Sequence, residues 1–314
     1  MTRGKRPCPQ GCSKENRMPK LWGSYPAPLR GALSLIVVFL NTVFWSILLF
    51  LIALLKAVIP VPGWRVFWGR VANDVAQRWV GVNSVGLDLT KDIRWDVRGL
   101  EGLKRDRWYL LVSNHQTMVD IVVLQKVFHR QVPFLKFFLK QELFWVPVMG
   151  LAWWALDYPF MERSSSARKD LETARRACEK FKLSPVTVMN FVEGTRFTPA
   201  KHQEQSSPYK HLLKPKVGGI AVTLGTMGDL IDKVLDVTIV YPMGVMGLWP
   251  FLCAKSVDVV VRVRQIPVTG ELRGDFFSDR EFRRRFVDWL NGLWEEKDRL
   301  IGELRERPGA AMKG

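Results

Sequence analysis

From Ala32 to Leu55 the chain runs for 24 residues without a charged side chain, bounded by Arg30 and Lys56. A helix rises about 1.5 Å per residue, so this run is long enough to cross the ~30 Å hydrocarbon core of a bilayer. A cleaved signal peptide fits poorly, because the apolar run and the basic segment before it are too long and no small-x-small site follows. The run reads as a membrane anchor. Residues 1–30 carry seven Lys/Arg against the single acid Glu15, with five prolines and no apolar period, and read as a basic disordered arm.

After the anchor, Pro60-Val61-Pro62-Gly63 breaks the helix. A second helical pattern over 64–80 sets Trp64, Phe67, Trp68, Val71, Val75 and Trp79 on one stripe and Arg65, Arg70 and Arg78 on another. Tryptophans with basic flanks predict a helix lying among lipid headgroups; packing against the protein core is the alternative. Both flanks of the anchor are basic, so charge does not choose between a single crossing and a hairpin that returns to the same leaflet. The expected organisation is thus an arm (1–30), an anchor (31–82, with helices 32–55 and 64–80) and a folded domain (83–314).

Hydrophobic residues make up 47% and charged residues 25%, which excludes a disordered chain. A mean hydropathy of −0.01 excludes a polytopic membrane protein. Cys8, Cys12, Cys178 and Cys253 are too scattered for a disulfide scaffold, and no metal site is expected from them. The net charge of +17 asks for an anionic partner. No recognition helix, zinc finger or aromatic RNA-binding strand is present, so that partner is an anionic bilayer and not a nucleic acid. Beyond residue 92, short β-branched runs alternate with amphipathic helices, which predicts an α/β sandwich around one sheet. Strands are expected at 93–97, 109–112, 133–137, 187–191, 237–241 and 257–263, and helices at 118–128, 165–183, 216–227 and 279–305. The last of these balances its acids and bases and reads as a solvated, charge-paired helix.

Two clusters carry chemistry. The first, Ser113-Asn114-His115-Gln116-Thr117-Met118-Val119-Asp120, follows an apolar strand. A His at a strand end, with a carboxylate five residues on at a helix start, suits a general base whose tautomer the Asp fixes. A buried structural His is the alternative. Ser113 is no hydrolase nucleophile, because the Gly-x-Ser-x-Gly elbow is absent. The second cluster is Glu193-Gly194-Thr195-Arg196, again at a strand end. Gly194 permits a tight turn, Thr195 offers a hydroxyl, and Arg196 offers a planar fork suited to phosphate. Glu193 would hold that Arg or bind an acceptor hydroxyl.

His115-x4-Asp120 followed by Glu193-Gly194-Thr195-Arg196 resembles the 1-acylglycerol-3-phosphate O-acyltransferase family. Lys140-Gln141-Glu142-Leu143 with Pro147 and Gly150, the stretch Pro159–Arg163, and Lys216-x-Gly218 are similar to further family blocks, and the resemblance covers about residues 85–265. The tract from Glu193 to His202 looks closer to the lysocardiolipin and lysophosphatidylinositol acyltransferase branch. The resemblance implies a mixed-sheet glycerolipid-acyltransferase sandwich behind the anchor. It also implies a lysophospholipid acceptor, acyl-CoA or acyl-carrier protein as donor, and no cofactor. His115 and Asp120 would be catalytic, while Arg163, Arg196 and Lys140 would hold phosphate and Glu193, Gly194 and Thr195 would shape the glycerol site. The expected home is a bacterial inner membrane with the catalytic domain on the cytoplasmic side. An inactive lipid-binding scaffold is the alternative from another class, though a scaffold has no need of a base.

Overall fold

A computed structural model describes residues 23–161 and 167–306. Residues 1–22, with Cys8 and Cys12, and residue Arg163 lie outside the described residues. The chain opens with α1 (Ala27–Val58) and α2 (Pro62–Thr90), joined at Ile59-Pro60-Val61. Proline at the first position of α2 costs no hydrogen bond and sets its direction. α1 already starts at Ala27, inside the stretch assigned to the arm, and α2 runs ten residues past the expected end at 80.

Four of the six residues of the tryptophan stripe are covered within the protein, while Phe67 stays 55% exposed. Trp68, Val71, Val75 and Trp79 pack inward with Leu49, Ile52 and Ala53 of α1, around Ala72 and Ala76, which leave room for close helix approach. Periodicity reports which face of α2 is apolar, and α1 covers most of that face, in keeping with the core-packing alternative. The lipid-facing candidate is the outer face of α1. Its most apolar window has a mean hydropathy of 2.6 with 17% of it buried.

There follow β1 (Asp92–Arg98), β2 (Trp108–Ser113), α3 (Val119–Phe128), β3 (Leu135–Phe137), β4 (Leu139–Lys140), α4 (Met149–Ala155), β5 (Phe160–Met161), α5 (Ala167–Phe181) and β6 (Thr187–Phe191). The chain continues through α6 (Pro199–Glu204), α7 (Gly218–Met227), β7 (Ile231–Val240), α8 (Leu248–Cys253), β8 (Ser256–Pro267) and α9 (Arg280–Glu306). One six-stranded mixed sheet has the order β1-β8-β7-β2-β6-β3, parallel except where β7 meets β8. β4 and β5 form a separate two-stranded ribbon. The expected α/β sandwich is therefore the observed fold.

β2 is apolar on both faces because both are covered. Leu110 and Val112 face a core with α5, α7 and α9, while Tyr109 and Leu111 face one with α3. α9 departs from its expected solvated character. Phe282, Phe286, Leu290, Leu293, Trp294 and Ile301 form a buried inner stripe, so its balanced charges occupy only the outer face. Lys297, on the inner side, is fully buried and paired with Asp236 at 2.6 Å.

Candidate active site

The carboxyl ends of parallel strands are where open α/β sheets place their ligand sites. β2 and β6 run side by side with Ser113 opposite Phe191, so the loops after them begin at one edge. Both predicted clusters lie on these loops. Asn114 locks the first in place by using its side chain like a strand residue: Ile239 N donates to its Oδ1 (2.9 Å) and its Nδ2 donates to Ile239 O (3.0 Å). Gln116 Nε2 donates to the same carbonyl at 2.7 Å.

His115 Nδ1 stands 2.9 Å from Asp120 Oδ2. That oxygen also accepts from Gln116 N (2.6 Å) and Thr117 N (2.9 Å), while Oδ1 accepts from Tyr241 Oη at 2.7 Å. Asp120 is fully buried in the first turn of α3, its oxygens facing those donors. An ionised carboxylate only accepts, so the proton belongs on Nδ1 and Nε2 keeps its lone pair. The imidazole stacks on Phe191, with ring centroids 3.7 Å apart and planes within 10°. Its side chain is 11% exposed, open enough for a reacting atom to reach. Burial and the adjacent Asp120 carboxylate push the Tyr241 hydroxyl well above its ordinary range, so it stays a donor.

Glu193 sits beneath the pair. Its Oε1 accepts from His115 N (2.7 Å) and its Oε2 from Leu213 N (2.8 Å), and it has no solvent exposure. Expected at Arg196 or at an acceptor, its carboxylate instead bonds backbone amides and ties the second loop to the first. Burial raises its pKa to about 7, against the pull of those two amides. Phe197 N donates to His115 O at 2.7 Å and closes the two loops together.

Gly194 turns the chain at φ +67°, and a Cβ there would meet the Lys216 side chain at 2.9 Å. Thr195 Oγ1 accepts from Lys201 Nζ at 2.7 Å, and Arg196 is exposed. Arg305, near the end of α9, reaches Gln116 Oε1 at 3.3 Å. Lys201 and Lys216 thus lie against the loop that carries Arg196, and Arg305 reaches the residue next to His115, so cations stand on or beside both loops. Lys140 lies elsewhere, exposed in the β4–β5 ribbon opposite Met161. Ser113 Oγ is buried and donates to Asn114 O, consistent with no nucleophilic role.

His115 is thus paired with a buried carboxylate and stacked on an aromatic ring, an arrangement able to serve as a base with its orienting acid. Residues 94–244 match the Acyltransferase family. That stretch holds both loops. Among curated relatives, 1-acyl-sn-glycerol-3-phosphate acyltransferase epsilon of Mus musculus is 24% identical over 221 residues, covering 63% of this chain and 58% of the relative. The delta enzyme of Homo sapiens is 25% identical over 205 residues, 60% of this chain and 51% of the relative. The chain therefore spans between half and three fifths of these relatives' lengths. The crystal structure of the 1-acyl-sn-glycerophosphate acyltransferase PlsC from Thermotoga maritima shares the fold, with a TM-score of 0.53 at 20% identity over 89% of this chain and 97% of that one.

Within the segment that matches the family model, sequence reasoning missed Phe191 and Tyr241 as partners of His115 and Asp120, and Asn114 as the side chain that ties their loop to Ile239. Phe191 and Tyr241 each stand at the end of an expected strand, which is the signal that was available. Arg305 carried none, because it lies among the charges of α9, 189 residues from Gln116.

Proposed function

We propose that the chain transfers a fatty acyl group from acyl-CoA or acyl-carrier protein to the free hydroxyl of 1-acyl-sn-glycerol-3-phosphate, giving phosphatidic acid. The observation that carries this reading is the His115–Asp120 pair: Nδ1 is committed to a buried carboxylate, which leaves Nε2 to take a proton. His115 Nε2 takes the proton from the acceptor hydroxyl as its oxygen attacks the thioester carbonyl. The tetrahedral intermediate collapses, the C–S bond breaks, and the imidazolium returns its proton to the leaving thiolate. A thiol pKa of about 8.5 makes that departure easy without an acyl-enzyme. Asp120 stabilises the imidazolium, and the named relatives act on the same lysophosphatidate class by their names. Arg196, with Lys201 and Lys216 near it, takes the acceptor's phosphate; Arg163 is kept as a further candidate.

The same reading puts the chain on one leaflet. α1 has 32 residues and is therefore about 48 Å long. It touches the catalytic domain near both ends: Arg30 donates to Cys253 O in α8, and Lys56 pairs with Asp157 beside α4. A helix held to one domain along its length supports lying in the leaflet and not crossing it. The proposed setting is a bacterial inner membrane, catalytic face to the cytoplasm.

The test is acyl transfer by the detergent-solubilised protein, with palmitoyl-CoA and lysophosphatidic acid, wild type beside His115→Ala. Loss of a general base lowers the rate by about 10²–10⁴. Activity confined to another lysophospholipid keeps the chemistry and moves the headgroup. No transfer to any acceptor from either donor, with equal lipid binding by both proteins, gives the scaffold reading the field.

A further inference from the structure

At the tip of the α1–α2 hairpin a cavity of about 510 Å³ opens between the helix turn, α4 and the end of α5. Four cations line it, Lys56, Arg65, Lys136 and Lys180, against one acid, Asp157. Lys56 is paired with Asp157, so the excess positive charge resides on the other three. Lys136 belongs to β3 and is 7% exposed. Its Nζ donates to Leu156 O at 2.8 Å, one bond from a group with three donors. Burial draws its pKa down to about 8, the behaviour of an ammonium short of countercharge. The remaining wall is mostly apolar, with Ala53, Trp154 and Phe181 among it, and two neutral polar residues, Asn73 and Ser184.

The cavity is not the site around His115. It includes Val186, at the entry to β6, whereas Phe191 beneath the imidazole ends that strand. Five residues of strand separate them by roughly 16 Å. The known clusters contribute none of its lining residues.

We propose that this cavity is a second anion site, built for a phosphate group carried by an amphiphile such as an anionic glycerophospholipid. The phosphate would sit among Arg65, Lys136 and Lys180, and the chain would lie along Trp154 and Ala53 toward the outer face of α1, where lipid is expected. Phosphate bound there would secure the hairpin tip to the catalytic domain. This assignment stands on charge, volume and burial, and does not depend on the acyl-transfer reading.

The experiment uses the full chain in detergent with a short-chain phosphatidic acid carrying a diazirine on its acyl chain, and maps labelled peptides by mass spectrometry. Label is expected on peptides spanning 53–69 and 154–161. In Arg65→Glu/Lys180→Glu, two exposed positions, it falls at least tenfold there while label elsewhere persists; in His115→Ala it is unchanged. Competition by unlabelled short-chain phosphatidic acid but not by 10 mM inorganic phosphate identifies a lipid headgroup, and clearance by inorganic phosphate alone identifies the free ion. No label at these peptides, or label indifferent to the charge reversals in a variant that melts like wild type, overturns the proposal.

Discussion

Tyr241 Oη and Glu193 set the environment of His115 from two sides, and each makes a separable prediction. In Tyr241→Phe the ring remains and Asp120 Oδ1 loses its one side-chain donor within a fully buried setting. An unsatisfied buried acceptor costs about 1–3 kcal/mol. Thermal unfolding should register that cost, and kcat for acyl transfer should fall about tenfold, equivalent to ~1.4 kcal/mol, with KM unchanged. Glu193 predicts a pH effect. Its carboxyl titrates near 7 in the folded chain against a reference of 4.5, so the folded state holds the proton more tightly. The stability it contributes is complete below the reference value and is lost as pH rises through about 7. Comparing melting temperatures of wild type and Glu193→Gln between pH 4.5 and 7.5 isolates this. The wild type should lose of order 1–3 kcal/mol more than the variant across that window. A parallel pair of curves would show that Glu193 stays ionised throughout. The sequence placed His115 and Asp120 correctly relative to one another, because five residues across a strand-to-helix turn leave little freedom. It did not show that Glu193 faces inward, since that depends on Leu213 N arriving from 20 residues away.

Uninterrupted apolar strands and helices of several turns were legible, and shorter pieces were not. The apolar runs at 109–112 and 187–191 became β2 and β6. By contrast the helices α4, α6 and α8 have seven residues or fewer, about two turns at most, and β4 and β5 have two residues each, too short to establish a helical or strand period. α4 shows why such an element still matters. It packs Ala152 and Ala155 into the cluster shared with α1 and α2. Its tight entry needs Gly150, where a Cβ would stand 1.8 Å from the Phe144 carbonyl oxygen. Backbone cannot yield as a side chain end would, so Gly150→Ala should cost about 2–3 kcal/mol. The expected result is a melting temperature lower by roughly 5 °C, with faster proteolysis in the 59–62 turn. Unchanged melting would mean that α4 is not a support of the hairpin. The tryptophan stripe of α2 teaches the complementary lesson, because a period names an apolar face without naming what covers it.

At the scale of the whole molecule, the question is how α1 would sit in a bilayer. The outer face of α1 presents Leu40 and Leu51, 60% and 51% exposed, on nearly the same side of the helix. Eleven residues separate them by about 16 Å along the axis. If α1 crossed the bilayer, spin labels at these two positions would differ in depth by most of that distance. If both ends of α1 are held by the domain, through Cys253 O and through Asp157, the two labels must lie at similar depth within one leaflet. Paramagnetic depth measurements on Leu40→Cys and Leu51→Cys, in a background where Cys8, Cys12 and Cys253 are serine, decide between these geometries. Depths within about 4 Å of each other are expected. A difference above about 10 Å would detach α1 from the domain surface, and with it the placement of His115 at the headgroup level of the same leaflet. On the proposed function, that placement would let a long-chain acceptor present its hydroxyl to His115 while its acyl chain stays in the leaflet. Withdrawing the chain would cost about 0.8 kcal/mol for each CH₂.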